Sequence, residues 1–139
     1  MKLRVSLDPG AETPVRAHAE DAGLDLKTPY SFEIPARGHA SVDTGVRVEV
    51  PRNHAGLVMA KSGLNRYSGL TCEGVIDCGY TGSIVVKIYN SHDTAYSFNK
   101  GDKIAQLLIV PVITPEIVLV DEISGTGDRG DNGFGSTGK

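Results

Sequence analysis

Apolar residues in this chain recur at every second position far more often than at helical spacing. Residues 41–50 (SVDTGVRVEV) place Val42, Val46, Val48 and Val50 on one face, a period that predicts a half-buried strand. Residues 2–7 alternate in the same way, and residues 84–88 are strand-like. Residues 104–110 (IAQLLIV) form a nearly continuous apolar run broken by Gln106, and residues 117–120 form another. Glycine and proline fall between these runs, at Pro9-Gly10, Pro35, Gly38, Pro51, Gly69, Gly82 and Gly101, as turns between short strands require. The one stretch that reads as helix is brief, at residues 62–67. The pattern predicts an all-β chain, a sandwich or a barrel of jelly-roll type.

Composition narrows the picture without changing it. A chain of 139 residues is long enough for one cored domain and too short for two. The net charge of −3 supplies no basic field for a nucleic-acid backbone, so any phosphate must be held by locally placed groups. The first fifteen residues lack the apolar core of a secretory signal, and no run approaches a membrane span. Cys72 and Cys78 lack zinc-site spacing and point to a reducing cytoplasm, or a host cytoplasm for a viral chain. His18, His39, His54 and His92 are scattered and read as surface residues.

Five islands carry candidate chemistry. In AGLDL, Asp25 lies between two leucines, and taken alone it reads as the exposed side of a short strand. In KSGL, Lys61, Ser62 and Gly63 stand at a strand-to-helix junction. There N–H donors and the helix dipole suit a phosphate, although an ordinary N-cap serine gives the same letters. A nucleoside-triphosphatase P-loop is excluded, because Ala60 and Ala55 stand where it needs glycine. In GVIDCGYTG, Asp77 follows small and apolar residues, a setting expected to desolvate it and raise its basicity; a turn aspartate is the equal alternative. In GDKIAQLLI, Gln106 interrupts an apolar strand and needs a hydrogen-bonding task. Residues 125–139 (GTGDRGDNGFGSTGK) hold six glycines around Arg129, Phe134, Ser136 and Thr137. That composition predicts a flexible segment, yet it also offers a cation, a stacking ring and hydroxyls for a nucleotide.

The order AGLDL, KSGL, GVIDCGYTG, GDKIAQLLI, RGDNGFGSTG closely resembles the five ordered motifs of the trimeric dUTP diphosphatases (dUTPases), from about Ala22 to the C-terminus. The resemblance implies a distorted jelly-roll of the β-clip type over residues 1–124. It also implies a homotrimer in which residues 125–139 form a Gly-rich arm closing a site on a neighbouring subunit. Asp77 then matches the acid that activates the water attacking the α-phosphorus of dUTP, and Tyr80 the ring that leaves no space for a ribose 2′-hydroxyl. Gly74, Val75, Ile76 and Val85 belong to a hairpin whose backbone would pair with uracil. Lys61, Ser62, Gly63 and Gln106 match phosphate-side residues, and Asp25 the acid that holds Mg²⁺ through water. In the arm, Phe134 would stack on uracil, with Arg129, Gly135, Ser136 and Thr137 around the phosphates. The product dUMP would feed dTMP synthesis while uracil is kept out of DNA.

Three positions depart from the family pattern. Lys61 stands where arginine is usual and keeps the charge without the planar fork, so a weaker hold on phosphate is expected. Gly79 replaces a frequent second acid, and Asn132 a common arm glycine. The related dCTP deaminases use a glutamate on the strand after the third motif, where this chain has Lys87; lysine does not serve as that base. A dUTPase-like regulatory or binding protein is the other alternative, and Asp77, Tyr80 and Phe134 argue for retained catalysis.

Overall fold

The computed structural model describes residues 2–123 and Gly125. In chain order the strands are β1 (Arg4–Leu7), β2 (Leu24–Lys27), β3 (Phe32–Ile34), β4 (His39–Asp43), β5 (Val46–Glu49) and β6 (His54–Met59). A short helix, α1 (Ser62–Ser68), follows, then β7 (Leu70–Thr71), β8 (Glu73–Ile76), β9 (Val85–Asn90), β10 (Tyr96–Phe98) and β11 (Lys103–Pro111). The largest sheet has the order β2-β11-β6-β8, and a second has the order β4-β9-β7. Two-stranded ladders join β1 to β5 and β10 to β3. All these pairings are antiparallel. Between the sheets lies one apolar core, in which Leu26, Ile34, Val42, Val46, Ile84 and Leu107 are fully buried. The architecture is an all-β distorted jelly-roll.

The valine stripe of residues 41–50 is buried as its period required, but it is not one strand. β4 ends at Asp43 and β5 begins at Val46; β4 pairs with β9 whereas β5 pairs with β1. The chain changes partner at Thr44-Gly45, where Gly45 adopts φ +66°, the left-handed region that favours glycine. Thr44 is fully buried, its hydroxyl donating to the carbonyl of Ile84 at 2.7 Å. The Asp43 carboxylate accepts from the Gly45 N–H at 2.9 Å. Alternation survives the corner, so the period alone does not reveal it.

Residues 117–120, expected as a strand, form none. Ile117 and Leu119 are 85% and 94% exposed. The segment pairs with none of the described strands, so its apolar side chains stay bare among the described residues. Helix α1 spans one residue more than expected. It stops at Gly69, whose φ of +58° turns its N–H back onto the carbonyls of Asn65 and Leu64, a left-handed C-terminal cap.

Candidate active site

Three of the four upstream islands lie on the largest sheet and the fourth, KSGL, follows its strand β6, so the register places them all. Asp25 on β2 faces Gln106 on β11, Gln106 faces Met59 on β6, and Met59 faces Glu73 on β8. Lys61 lies two residues beyond Met59. One cluster therefore forms from Asp25, Lys61, Gln106 and the start of α1.

Asp25 is buried, contrary to the exposed-strand expectation: 4% of its surface remains accessible. It lies beside Leu26 at the core, and two cations compensate its charge. Lys61 bonds its Oδ1, and Lys103 Nζ lies 2.6 Å from Oδ2. Burial pushes the carboxyl pKa up, but the two lysines outweigh burial and leave it below the ordinary aspartate value. The ion pair to Lys103 lacks hydrogen-bonding geometry, so Oδ2 is buried without a hydrogen-bond partner. In the sequence Lys103 carries no signal beyond being a cation in the fourth island.

Gln106 has the task its position demanded. Its Nε2 donates to the carbonyl of Ala60 at 3.0 Å, fixing the residue before Lys61. Gly23 explains why the amide fits: a Cβ there would lie 2.3 Å from Gln106 Oε1. Lys61 is the N-cap of α1 and makes no side-chain capping bond, with Ser62 the first helical residue. Ser62 is therefore not the N-cap that the commoner reading of KSGL supposed. A Cβ at Gly63 would meet nothing within 4 Å, so that turn is open to solvent.

The second cluster lies around Asp77. A cleft of about 220 Å³ is lined by Val75, Ile76, Asp77, Tyr80, Ser83 and Val85. It is smaller than the ~300–1,000 Å³ typical for drug-sized ligands and suits a nucleoside-sized group. Val75, Val85 and Tyr80 are 63%, 54% and 46% exposed, an apolar lining left open. Gly74 is on β8 opposite Val58 and does not line the cleft.

The hairpin expected across residues 74–85 is a crossing between sheets. β8 pairs with β6, and β9 pairs with β4 and β7. A hairpin ladder would have used the backbone groups of residues 77–83 on one another. The crossing makes one such bond, from Tyr80 N–H to the Asp77 carbonyl at 3.1 Å, and leaves donors and acceptors for a planar polar edge. Gly79 turns it at φ +92°. Tyr80 folds back over Gly82, where a Cβ would lie 2.2 Å from its Oη, and its hydroxyl donates to the Ser83 carbonyl at 3.0 Å.

Asp77 itself is exposed. The described residues do not provide the expected desolvation, because Cys78, Gly79 and Tyr80 beside it are exposed too. The arm residues Arg129, Phe134, Gly135, Ser136 and Thr137 lie outside the described residues.

The two clusters do not meet. Gly56 faces Ile76, which sets Asp77 at the start of β6 while Lys61 follows its end. At about 3.3 Å per residue, the chain from Ala55 to Lys61 spans roughly 20 Å. One chain holds a nucleoside-sized cleft with an acid at one end of its sheet, and a cationic phosphate-type cluster at the other.

Comparison with known proteins matches residues 10–138 to the dUTPase family. The deoxyuridine 5'-triphosphate nucleotidohydrolase of Gloeothece citriformis (strain PCC 7424) is 39% identical over 142 residues, covering 99% of this chain and 97% of the relative. The enzyme of that name from Paramecium bursaria Chlorella virus 1 is 38% identical over 129 residues, covering 92% and 91%. The Staphylococcus bacteriophage 80alpha dUTPase, solved with dUpNHpp, superposes with a TM-score of 0.93 at 31% identity, covering 99% of each chain.

Proposed function

This chain belongs to the dUTPase family and is a dUTP-hydrolysing enzyme, and we propose that it cleaves dUTP to dUMP and pyrophosphate with Asp77 as general base. Water attacks the α-phosphorus in line with the leaving pyrophosphate, and its proton passes to the Asp77 carboxylate. The single observation that carries this reading is the cleft, which sets Asp77 beside Tyr80 and an open apolar lining. Uracil would meet the unpaired backbone of the crossing, in a cleft too narrow for the methyl of thymine. Tyr80 would lie against the deoxyribose where a 2′-hydroxyl would clash. The dUMP formed would feed dTMP synthesis, and the lowered dUTP would limit uracil in DNA.

The separation of the clusters supports a site shared between copies. Lys61, Ser62, Gly63 and Gln106 of one subunit would receive the phosphates of a nucleotide seated in the Asp77 cleft of another. That arrangement would cover Asp77 and supply the desolvation that the described residues of its own chain do not. The bared side chains of Ile113, Ile117, Val118, Leu119 and Ile123, each more than 70% exposed, also call for a partner surface. We assign a homotrimer, with residues 1–124 as the β domain and residues 125–139 as an arm closing over a neighbour's site. In that arm Phe134 would stack on uracil, and Arg129, Gly135, Ser136 and Thr137 would reach the phosphates. Two free thiols at Cys72 and Cys78 accord with a reducing cytoplasm. Among the described residues no helix is long and apolar enough to cross a membrane.

Mg²⁺ fits the described residues in one manner. Among them no three His, Cys, Asp or Glu side chains cluster, so an all-protein cage is absent. Direct ligation by Asp25 would have to displace Lys61 and Lys103. Asp25 Oδ2 still lacks a hydrogen bond, and a metal-bound water would donate one. Mg²⁺ retains waters and is commonly held through substrate phosphates, so Asp25 would hold it through water. Bound there, the ion would offset charge on the leaving pyrophosphate.

Pyrophosphate release from dUTP, dCTP, dTTP and UTP, measured in parallel with ammonia monitored for dCTP, tests the assignment. Release confined to dUTP is expected. Ammonia from dCTP, or equal release from all four, would overturn it.

A further inference from the structure

We propose that Arg47, anchored by Asp8, is a positioning residue that holds the 77–84 crossing, and with it Tyr80, in the geometry that excludes a ribose. The proposal deepens the reading of Tyr80 given above and rests on it.

Arg47 sits on β5, outside all five motif islands. Its guanidinium makes a two-pronged pair with Asp8, Nε to Oδ1 at 2.9 Å and Nη2 to Oδ2 at 3.0 Å. The remaining nitrogen, Nη1, donates to the carbonyl of Thr81 at 3.0 Å. One planar fork thus ties the N-terminal loop to the residue after Tyr80. Among the described residues, no other side chain from outside the crossing hydrogen-bonds to residues 77–82.

Packing does not do this work instead. Tyr80 and Thr81 also border a groove of about 410 Å³, whose lining includes Arg4, Val5, Val48 and Glu49 of β1 and β5 and Arg47 itself. Tyr80 therefore borders two open spaces, the nucleoside cleft and the groove. The later part of the crossing is strapped separately. Ser83 Oγ donates to Asp43, Thr44 Oγ1 donates to the Ile84 carbonyl at 2.7 Å, and Ile84 N–H donates to the Val46 carbonyl at 2.8 Å. Those bonds fix residues 83 and 84; the Tyr80 hydroxyl reaches back to the Ser83 carbonyl at 3.0 Å, so the turn ahead of them can move only as a unit hinged at Ser83. Among the described residues, the bond from Arg47 to Thr81 is the side-chain tether from outside that unit, and it opposes a hinge motion toward the groove. A ring that moves back by even an ångström no longer clashes with a 2′-hydroxyl, so loss of the tether shows first as lost sugar discrimination.

The test compares kcat/KM for dUTP and UTP in the full-length enzyme and in Arg47→Met, Arg47→Lys, Asp8→Asn and Tyr80→Ala, with a thermal melt of each. Tyr80→Ala reports on the underlying reading and is expected to lower the dUTP/UTP ratio by about tenfold or more. Arg47→Met is expected to lower the same ratio about three- to tenfold, with an unchanged melting temperature and most of the change from a lower KM for UTP. Arg47→Lys keeps the charge but cannot serve Asp8 and Thr81 in one plane, so its ratio falls between the two. Should Arg47→Met fold poorly, Asp8→Asn frees the anchor alone and is expected to shift the ratio in the same direction. A ratio that falls in Tyr80→Ala but holds at the wild-type value in folded Arg47→Met or Asp8→Asn overturns the proposal. A ratio unmoved by Tyr80→Ala overturns the reading of Tyr80 and the proposal with it.

Discussion

Three aspartates near the two clusters differ in whether the described residues compensate them. Asp25 has two lysines and Asp43 has Ser83 and a backbone N–H, whereas Asp77 faces solvent. An acid without a partner among the described residues suits proton transfer, so Asp77→Asn should fold and bind dUTP yet lose roughly 10²- to 10⁴-fold in kcat. Steady-state turnover beside calorimetric binding of a non-hydrolysable analogue separates the two, and near-normal turnover would remove Asp77 from its role. The hydrogen bond from Ser83, then that from Gly45, hold Asp43 below its ordinary pKa against the opposing effect of burial. A depressed folded-state pKa adds stability that is present above the unfolded value and lost as pH falls through the folded one. Urea midpoints of wild type and Asp43→Asn should therefore differ at pH 7 and converge below about pH 4. The types of these acids were readable in the chain, but their partners were not. Lys103 lies 78 positions from Asp25, and nothing local to either residue announces the pair.

At the scale of elements, corners rather than strands place the site. The turn at Thr44-Gly45 sends the valine stripe from β4 in one sheet to β5 in another, and its side chains strap the end of the 77–84 crossing. Gly45 is needed there twice over. Its φ of +66° disfavours a side chain, and a Cβ would lie 2.8 Å from that of Ala11. Gly45→Ala should therefore cost about 2–4 kcal/mol, read as a lower urea midpoint at unchanged slope; a loss under 1 kcal/mol would show that the corner relaxes freely. The apolar period legibly assigned the buried face of each strand, because alternation is a property of the extended backbone itself. It left the corner and the crossing hidden, because both depend on which strand pairs with which. The run at residues 117–120 misled for the same reason: strand-like composition forms no strand where the segment pairs with no edge of the described sheets.

For the whole molecule, the decisive feature is the distance between the two clusters. If one site draws Asp77 from one subunit and Lys61 from another, two crippled variants should repair each other. Asp77→Asn and Lys61→Ala, refolded together, should regain turnover that neither shows alone, whereas a site contained in one chain would gain nothing from mixing. Deleting residues 125–139 should leave a folded trimer by light scattering that hydrolyses dUTP poorly, and full activity would remove the arm from the mechanism.

The chain by itself determined the all-β class, the apolar faces and, through the order of five short motifs, the family and its chemistry. Those features are local, written in residue type and near spacing. Only the tertiary structure decided that Asp25 is buried between two lysines, that the expected hairpin is a crossing, and that Arg47 anchors it. It also decided that the Asp77 cleft and the Lys61 cluster lie at opposite ends of β6. Each of these turns on pairings between residues far apart in sequence, which the free energy of the folded core selects and no local pattern encodes.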